Sequence, residues 1–322
     1  MSAPARTFKG IFVEADAPEF LEREIEPERE VLDLNALNVR SMLAQFRARQ
    51  LNFDTAPFDP EGHRIRFFPG GYTVWSGNPG GGKTTLLRQH VCHLLKKNKP
   101  VFIASLEEDP MDVFVRLACT ALGTENVTED GLQWCVDYWH DKLRLWSYRR
   151  GIADHARILA IIRVLAKQGV RHSIIDSLAR LDVRSDDFEG QRQFANSLEA
   201  TAASSGTHIH LVAHPRKPFG KKQEPDTGDI AGSADIGRLS DNVLFMRRPE
   251  DDSAVEHDFS PMLVSIRKQR WYTGAVGNIE GYFNRTLRQW KPHKHDVEVT
   301  RYLPDGAYGD LQFGPEDGWS KS

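Results

Sequence analysis

The run Gly77-Asn78-Pro79-Gly80-Gly81-Gly82-Lys83-Thr84 has the spacing GxxxxGK[ST], between an apolar stretch (Tyr72 to Ser76) and a helix-forming one (Lys83 to Lys97). Glycines in a strand-to-helix turn let the backbone wrap an anion with its N–H groups, in conformations a Cβ would forbid. The helix N-terminus adds partial positive charge aimed at the same anion. Lys83 at the end of the turn is placed to reach the β- and γ-phosphates of ATP, and the Thr84 hydroxyl to ligate Mg²⁺. The run therefore predicts a nucleotide cradle from Gly77 to Thr84, with Thr85 beside it.

Binding a nucleotide and hydrolysing it are different tasks, and the second needs carboxylates. His172-Ser173-Ile174-Ile175-Asp176 is an apolar strand ending in an acid. At the C-terminal end of a strand beside the cradle, Asp176 is suited to hold Mg²⁺ through water; its competing reading is a helix N-cap. Val101 to Ser105 is a second apolar strand, followed by Leu106-Glu107-Glu108-Asp109. A carboxylate there would face the γ-phosphate and polarise an attacking water. Strand alternation favours Glu107, leaving Glu108 and Asp109 for solvent or for capping the helix that opens at Pro110.

These groups need a frame. Strands are expected at Tyr72 to Ser76, Val101 to Ser105, Lys142 to Trp146, Ser173 to Asp176, Ile209 to Ala213, Val243 to Met246 and Met262 to Ile266. Helices are expected at Lys83 to Lys97, Pro110 to Leu122, Ile152 to Lys167 and Gln191 to Ser204. Alternating strands and helices predict an α/β fold, a P-loop core with a mostly parallel central sheet and helices on both faces. Residues 64–292 carry this core, and 322 residues suffice for one such domain with a small appendage. Residues 1–33 read as an acidic extended arm, 34–63 as a linker helix (Leu34 to Gln50) with a loop, and 293–322 as a polar tail. Leu34, Leu37, Leu43 and Phe46 give the linker helix an apolar stripe that needs a partner surface.

Composition narrows the surroundings. The 3 cysteines are scattered and include no CxxC pair, so neither a disulfide framework nor a cysteine zinc site is expected. No apolar run approaches the roughly twenty residues that span a bilayer, and Met1 to Gly10 lacks a signal core, so a cytoplasmic setting without membrane is expected. A net charge of −3 means that any nucleic-acid surface must be local. One concentrated basic stretch is Arg216-Lys217-Pro218-Phe219-Gly220-Lys221-Lys222, a loop by its Pro and Gly content and, taken alone, as consistent with a solvated face.

Taken in order, the cradle, Ser105-Leu106-Glu107-Glu108, Ile174-Ile175-Asp176-Ser177, Val212-Ala213-His214-Pro215-Arg216-Lys217, Asp229-Ile230-Ala231-Gly232-Ser233 leading to Asp241-Asn242-Val243, and Arg267-Lys268-Gln269-Arg270 resemble RecA-like motors of the DnaB type. The resemblance is strongest to the helicase half of phage primase-helicases and of mitochondrial Twinkle, and covers Arg64 to Trp290. It implies a RecA-like ATP-dependent DNA helicase forming a homo-oligomeric ring, a hexamer, around single-stranded DNA. It also implies that His214 senses the γ-phosphate, and that Arg270 with Lys268 serves the neighbouring subunit's nucleotide as an arginine finger and its companion. Arg248 resembles the guanidinium that stacks on the base, with Phe283 opposite; Arg247 and Tyr282 are one register step away. Arg216, Lys217, Lys221 and Lys222, with amides near Gly232 and Ser233, are implied to hold the DNA backbone. The relatives' primase portion has no counterpart here, so a separate primase or polymerase is the expected partner. Two other functions stay open: a filament-forming recombination or repair ATPase, against which the His214 to Lys217 segment speaks, and a nucleotide-gated DNA-loading adaptor.

Overall fold

The computed structural model describes residues 38–146, 153–183, 187–217, 224–248, 258–270 and 276–309. The chain divides into two units, Met1–Leu51 and Asn52–Ser322. In the first, helix α1 (Val39–Leu51) contains no buried residue. Asn38 Oδ1 accepts the Ser41 N–H at 2.9 Å and so caps the first turn. Among the described residues the helix runs from Val39, and residues 1–37, including the acidic arm and the helix start expected at Leu34, lie outside them.

The second unit is built on one sheet of nine strands: β1 (Tyr72–Ser76), β2 (Val101–Ser105), β3 (Leu143–Leu145), β4 (His172–Asp176), β5 (His208–Val212), β6 (Asn242–Arg247), β7 (Phe259–Gln269), β8 (Gly277–Asn284) and β9 (Gln289–Lys291). Their order is β3-β2-β4-β5-β1-β6-β7-β8-β9. From β3 to β6 all neighbours are parallel, and β7 to β9 add an antiparallel edge. The expected RecA-like α/β core with a mostly parallel sheet is what the chain adopts.

Alternation along these strands feeds two cores. Trp75, Ile103, Ile174 and Leu244 point to one face, where they meet α2 (Lys83–Lys96), α3 (Pro110–Leu122) and α4 (Glu129–Trp139). Val74, Ala104, Ile175 and Phe245 point to the other, against α5 (His155–Lys167), α6 (Phe188–Ser205) and α7 (Ala234–Leu239). Local chemistry sets the helix starts. Asp109 accepts from the Met111 N–H, Thr128 from Gly131, Asp154 from Ala156 and Arg157, and Asp187 from Gly190, each satisfying an orphan donor of the first turn.

Two expected boundaries move. Residues 52–63, assigned to the linker, belong to the core: Ala56 and Phe58 are buried, as are Ile65 and Phe67 just beyond. Asp59 organises this loop by accepting backbone N–H bonds from His63, Arg64 and Ile65 at 3.2, 2.7 and 2.7 Å. The polar tail begins later than Pro292, because Tyr302, Leu303 and Ala307 are buried in the first core and the Tyr302 hydroxyl receives the Gln89 amide at 2.8 Å. No helix among the described residues is long and apolar enough to cross a membrane.

Candidate active site

The cradle leaves the C-terminal end of β1 and runs into α2. A Cβ on Gly77 would lie 2.3 Å from the Met246 carbonyl oxygen, so this turn can press against β6 only as glycine. Lys83 Nζ donates to the Gly77 and Asn78 carbonyls at 2.7 and 3.1 Å, which arches the loop over the ammonium. Burial lowers the Lys83 pKa, against the attraction of Asp176 and Glu107.

β2 and β4 are neighbours, and their register pairs Ser105 with Asp176, so both acids emerge at one sheet edge. Asp176 Oδ2 is 3.4 Å from Thr84 Oγ1. Desolvation, with Glu107 and Glu108 adding repulsion, pushes the Asp176 carboxyl up to about 6. Glu107 goes the other way. Its carboxylate accepts the Ser177 hydroxyl at 2.5 Å and faces His214 Nε2 at 3.8 Å. The facing His214 imidazole foremost, and the hydrogen bond from Ser177, hold Glu107 down at about 2 against desolvation. Glu108 instead pairs with Arg88 on α2, and Asp109 caps α3, so the alternation that singled out Glu107 is met.

A cleft of about 500 Å³ joins these groups, lined by Pro79, Gly80, Gly82, Lys83, Thr84, Thr85, Glu107, Asp176 and His214. Arg248, Phe283 and the β7 residues Ser260, Pro261 and Met262 close its other side. Of the two register choices, Arg248 reaches the cleft. Arg247 is buried, donating to Ser265 at 3.2 Å and Glu224 at 2.8 Å.

The donor set fits Mg²⁺. A hydroxyl and a carboxylate side by side are hard oxygen donors, and crowding among Asp176, Glu107 and Glu108 is the excess negative charge that a divalent cation relieves.

The remaining predicted residues fall in two places. His214 to Lys217 lies against Asp229 to Ser233: the Ala231 N–H bonds the His214 carbonyl at 2.8 Å, and the Arg216 N–H bonds that of Asp229 at 2.7 Å. Lys217 is exposed. Arg216 is not the free cation expected, because its guanidinium donates to the Ile230 and Gly232 carbonyls at 3.1 and 2.8 Å and staples the two segments together. The Ser233 hydroxyl is occupied as the α7 cap, accepting from Asp235. Lys221 and Lys222 lie outside the described residues.

Arg270 and Lys268 stand at the far end of β7, where Gln269 pairs with Asn242 at the start of β6. About 20 Å of extended strand separates Arg270 from the Arg247–Leu263 pair beside the cleft. Arg270 lies 3.5 Å from Glu199 and 3.7 Å from Asp241. Lys268 Nζ donates to the Gly237 and Arg238 carbonyls and so caps the last turn of α7, which differs from a free companion to Arg270. Burial lowers the Lys268 pKa to about 8.

Sequence reasoning gave no role to Ser177, although it follows Asp176 directly, nor to the Ser260 to Met262 wall. A family model described as an AAA domain matches residues 40–219. Among solved structures, one described as an ATPase domain matches with a TM-score of 0.67 and 17% identity, covering 80% of this chain and 97% of that one. A DnaB-like replicative helicase, solved with its interactions with primase, matches with a TM-score of 0.59 and 17% identity, covering 70% of this chain and 58% of that one.

Proposed function

The chain belongs to the AAA-domain family, and on that premise we propose that it is an ATP-hydrolysing motor that moves along single-stranded DNA and unwinds duplex DNA in replication. Lys83 binds the β- and γ-phosphates, and Glu107, ionised throughout the physiological range, orients and polarises the attacking water. His214, against Glu107, registers loss of the terminal phosphate. Thr84 and Asp176 would hold Mg²⁺, whose chemistry is to offset charge on the phosphate oxygens. Arg248 and Phe283 receive the base. Lys217, with Lys221 and Lys222 and the amides of Gly232 and Ser233, takes the DNA backbone in a salt-sensitive, sequence-blind manner. The likeness to a replicative helicase supports this reading over a filament-forming recombinase, and the primase interaction of that relative supports a separate primase as partner.

One observation carries the proposal: Arg270 is a strand's length from its own cleft. An arginine that completes an ATP site from there does so in a second copy, which makes a ring the working form, with the exposed Leu43 and Phe46 of α1 packing on the neighbour. The test mixes two inactive proteins, Lys83→Ala and Arg270→Ala, and follows DNA-stimulated phosphate release. Mixing restores part of the turnover at seams that pair the two intact halves, whereas Arg270→Ala alone loses about 10³-fold or more. Full DNA-stimulated turnover by Arg270→Ala alone rules the motor out.

A further inference from the structure

Under α2, at the end of the sheet away from the cleft, five histidines meet: His90 and His93 on α2, His172 on β4, and His208 and His210 on β5. Hydrogen bonding accounts for four of them. Trp75 Nε1 can only donate, so His210 Nδ1 accepts it at 3.1 Å and the His210 proton sits on Nε2. That proton points at His172 Nδ1, 3.0 Å away, which leaves His172 Nε2–H to donate to Asp54 Oδ2 at 3.0 Å. His208 Nδ1 donates to the Phe68 carbonyl at 2.7 Å and its Nε2 accepts from Thr73 at 2.8 Å. His93 Nε2 lies 3.0 Å from the Thr55 hydroxyl.

His90 is the exception. It is fully buried, and among the described residues neither ring nitrogen has a partner. One ligand atom each from His90, His172 and His210 lie within 4.8 Å of one another. Leaving a buried donor and acceptor both unmade is costly, and a native core tolerates it where something else supplies the bond.

We propose that His90, His172 and His210 form a site for one divalent transition-metal ion of the Zn²⁺ class, which ties α2 to β4 and β5. Three imidazoles with no oxygen donor among them suit Zn²⁺, Co²⁺ or Ni²⁺ and do not suit Mg²⁺, so the site is separate from the nucleotide's cation. Asp54 behind His172 supplies the carboxylate–histidine–metal arrangement that orients a ligand ring. The ion takes lone pairs on His172 Nδ1, His210 Nε2 and one nitrogen of His90. No proton leaves the site. The His210 proton moves from Nε2 to Nδ1, where it opposes the Trp75 indole N–H.

That opposition makes the site testable in the full-length chain. After chelation and dialysis, Co²⁺ is titrated against saturating Mg²⁺ and its visible d–d absorption recorded, with Zn²⁺ content measured in parallel. The wild-type chain takes up one ion, and Zn²⁺ raises its Tm. His90→Leu, which removes the two unpartnered nitrogens and so folds without metal, takes up none. Asp54→Asn binds about 10–100-fold more weakly. Trp75→Phe, which removes the opposing donor, binds about tenfold more tightly. Equal uptake by wild type and His90→Leu, or no uptake by wild type, overturns the site; unchanged affinity in Trp75→Phe removes His210 as a ligand and overturns it too.

Discussion

β4 and β5 carry titratable side chains at both ends, and the two ends behave in opposite ways. At the N-terminal end, His172, His208 and His210 lie in a dry layer beneath α2, with His90 and His93 above them. Burial holds His93 down at about 4 and His208 at about 3, and pushes His90 and His210 well below the ordinary histidine value. At the C-terminal end the same strands lead to Asp176 and His214, with Glu107 alongside, around an open cleft. There Glu107 stays charged because hydroxyl and imidazole partners reach it, while Asp176 is crowded upward by its neighbours. Clusters of similar groups thus become core or chemistry according to whether solvent and counter-charge have access.

The largest expected break in this contrast is Glu107→Gln. Phosphate release falls by about 10²–10⁴-fold with unfolding by urea unchanged; a loss below tenfold would exclude Glu107 as the group that activates water. Next is the dry end. Phe58, in edge contact with Trp75 and Trp290, anchors the loop that brings Asp54 and Thr55 to the histidines. Phe58→Ala costs about 3–5 kcal/mol in urea unfolding; a change under about 1 kcal/mol would return residues 52–63 to a linker.

Acid sharpens the comparison further. Burial keeps His90, His93, His208 and His210 neutral in the folded chain, and they titrate near 6.5 once unfolded, so the unfolded state takes up more protons as pH falls. The metal-free chain therefore loses stability below pH of about 6.5, by about 1 kcal/mol per such histidine for each pH unit, until the folded values of about 4 for His93 and about 3 for His208 are reached. Denaturant midpoints from pH 7.5 to 5 read this directly, and a flat profile contradicts a neutral cluster. The smallest effect belongs to Ser177→Ala. Removing its hydroxyl lets the Glu107 pKa climb from about 2 toward its ordinary 4.5. Turnover drops by about tenfold or less, and its acid limb shifts to higher pH; a pH–rate profile that overlays on wild type would leave Ser177 without a part in holding Glu107.

How far the sequence could be read depended on how local each signal was. The cradle is contiguous, Glu107 follows one apolar strand and Asp176 ends another, so type and position sufficed to place them on one cleft. Arg216 and Lys268 were harder: a cation that will cap carbonyls is indistinguishable in sequence from one that waits for phosphate, and only the positions of residues 230, 232, 237 and 238 tell them apart. The histidines at 90, 172 and 210 are far apart in the chain and meet only once β4 and β5 pair under α2. The strand β8 escaped notice because Gly, Asn and Glu interrupt its alternation, β9 because Gln289–Lys291 is too short to show one, and α4 because its Asp-Gly step reads as a turn despite the Thr128 cap.

β7 spans 11 residues, with Ser260, Pro261 and Met262 on the cleft wall near its start and Arg270 just past its end. The strand thereby acts as a measuring rod. Each residue sets about 3.3 Å of reach and, apart from the bulge where Arg267 falls between the Val243–Lys268 and Leu244–Ile266 pairs, each single step turns the side chain to the other face. Adding or removing one residue there would aim Arg270 at the wrong side of the sheet, and changing two would keep its aim while shifting it by about 7 Å. The conspicuous cation is only the tip of that rod; the spacing behind it, from the cleft wall at Ser260, Pro261 and Met262 outward, is equally constrained.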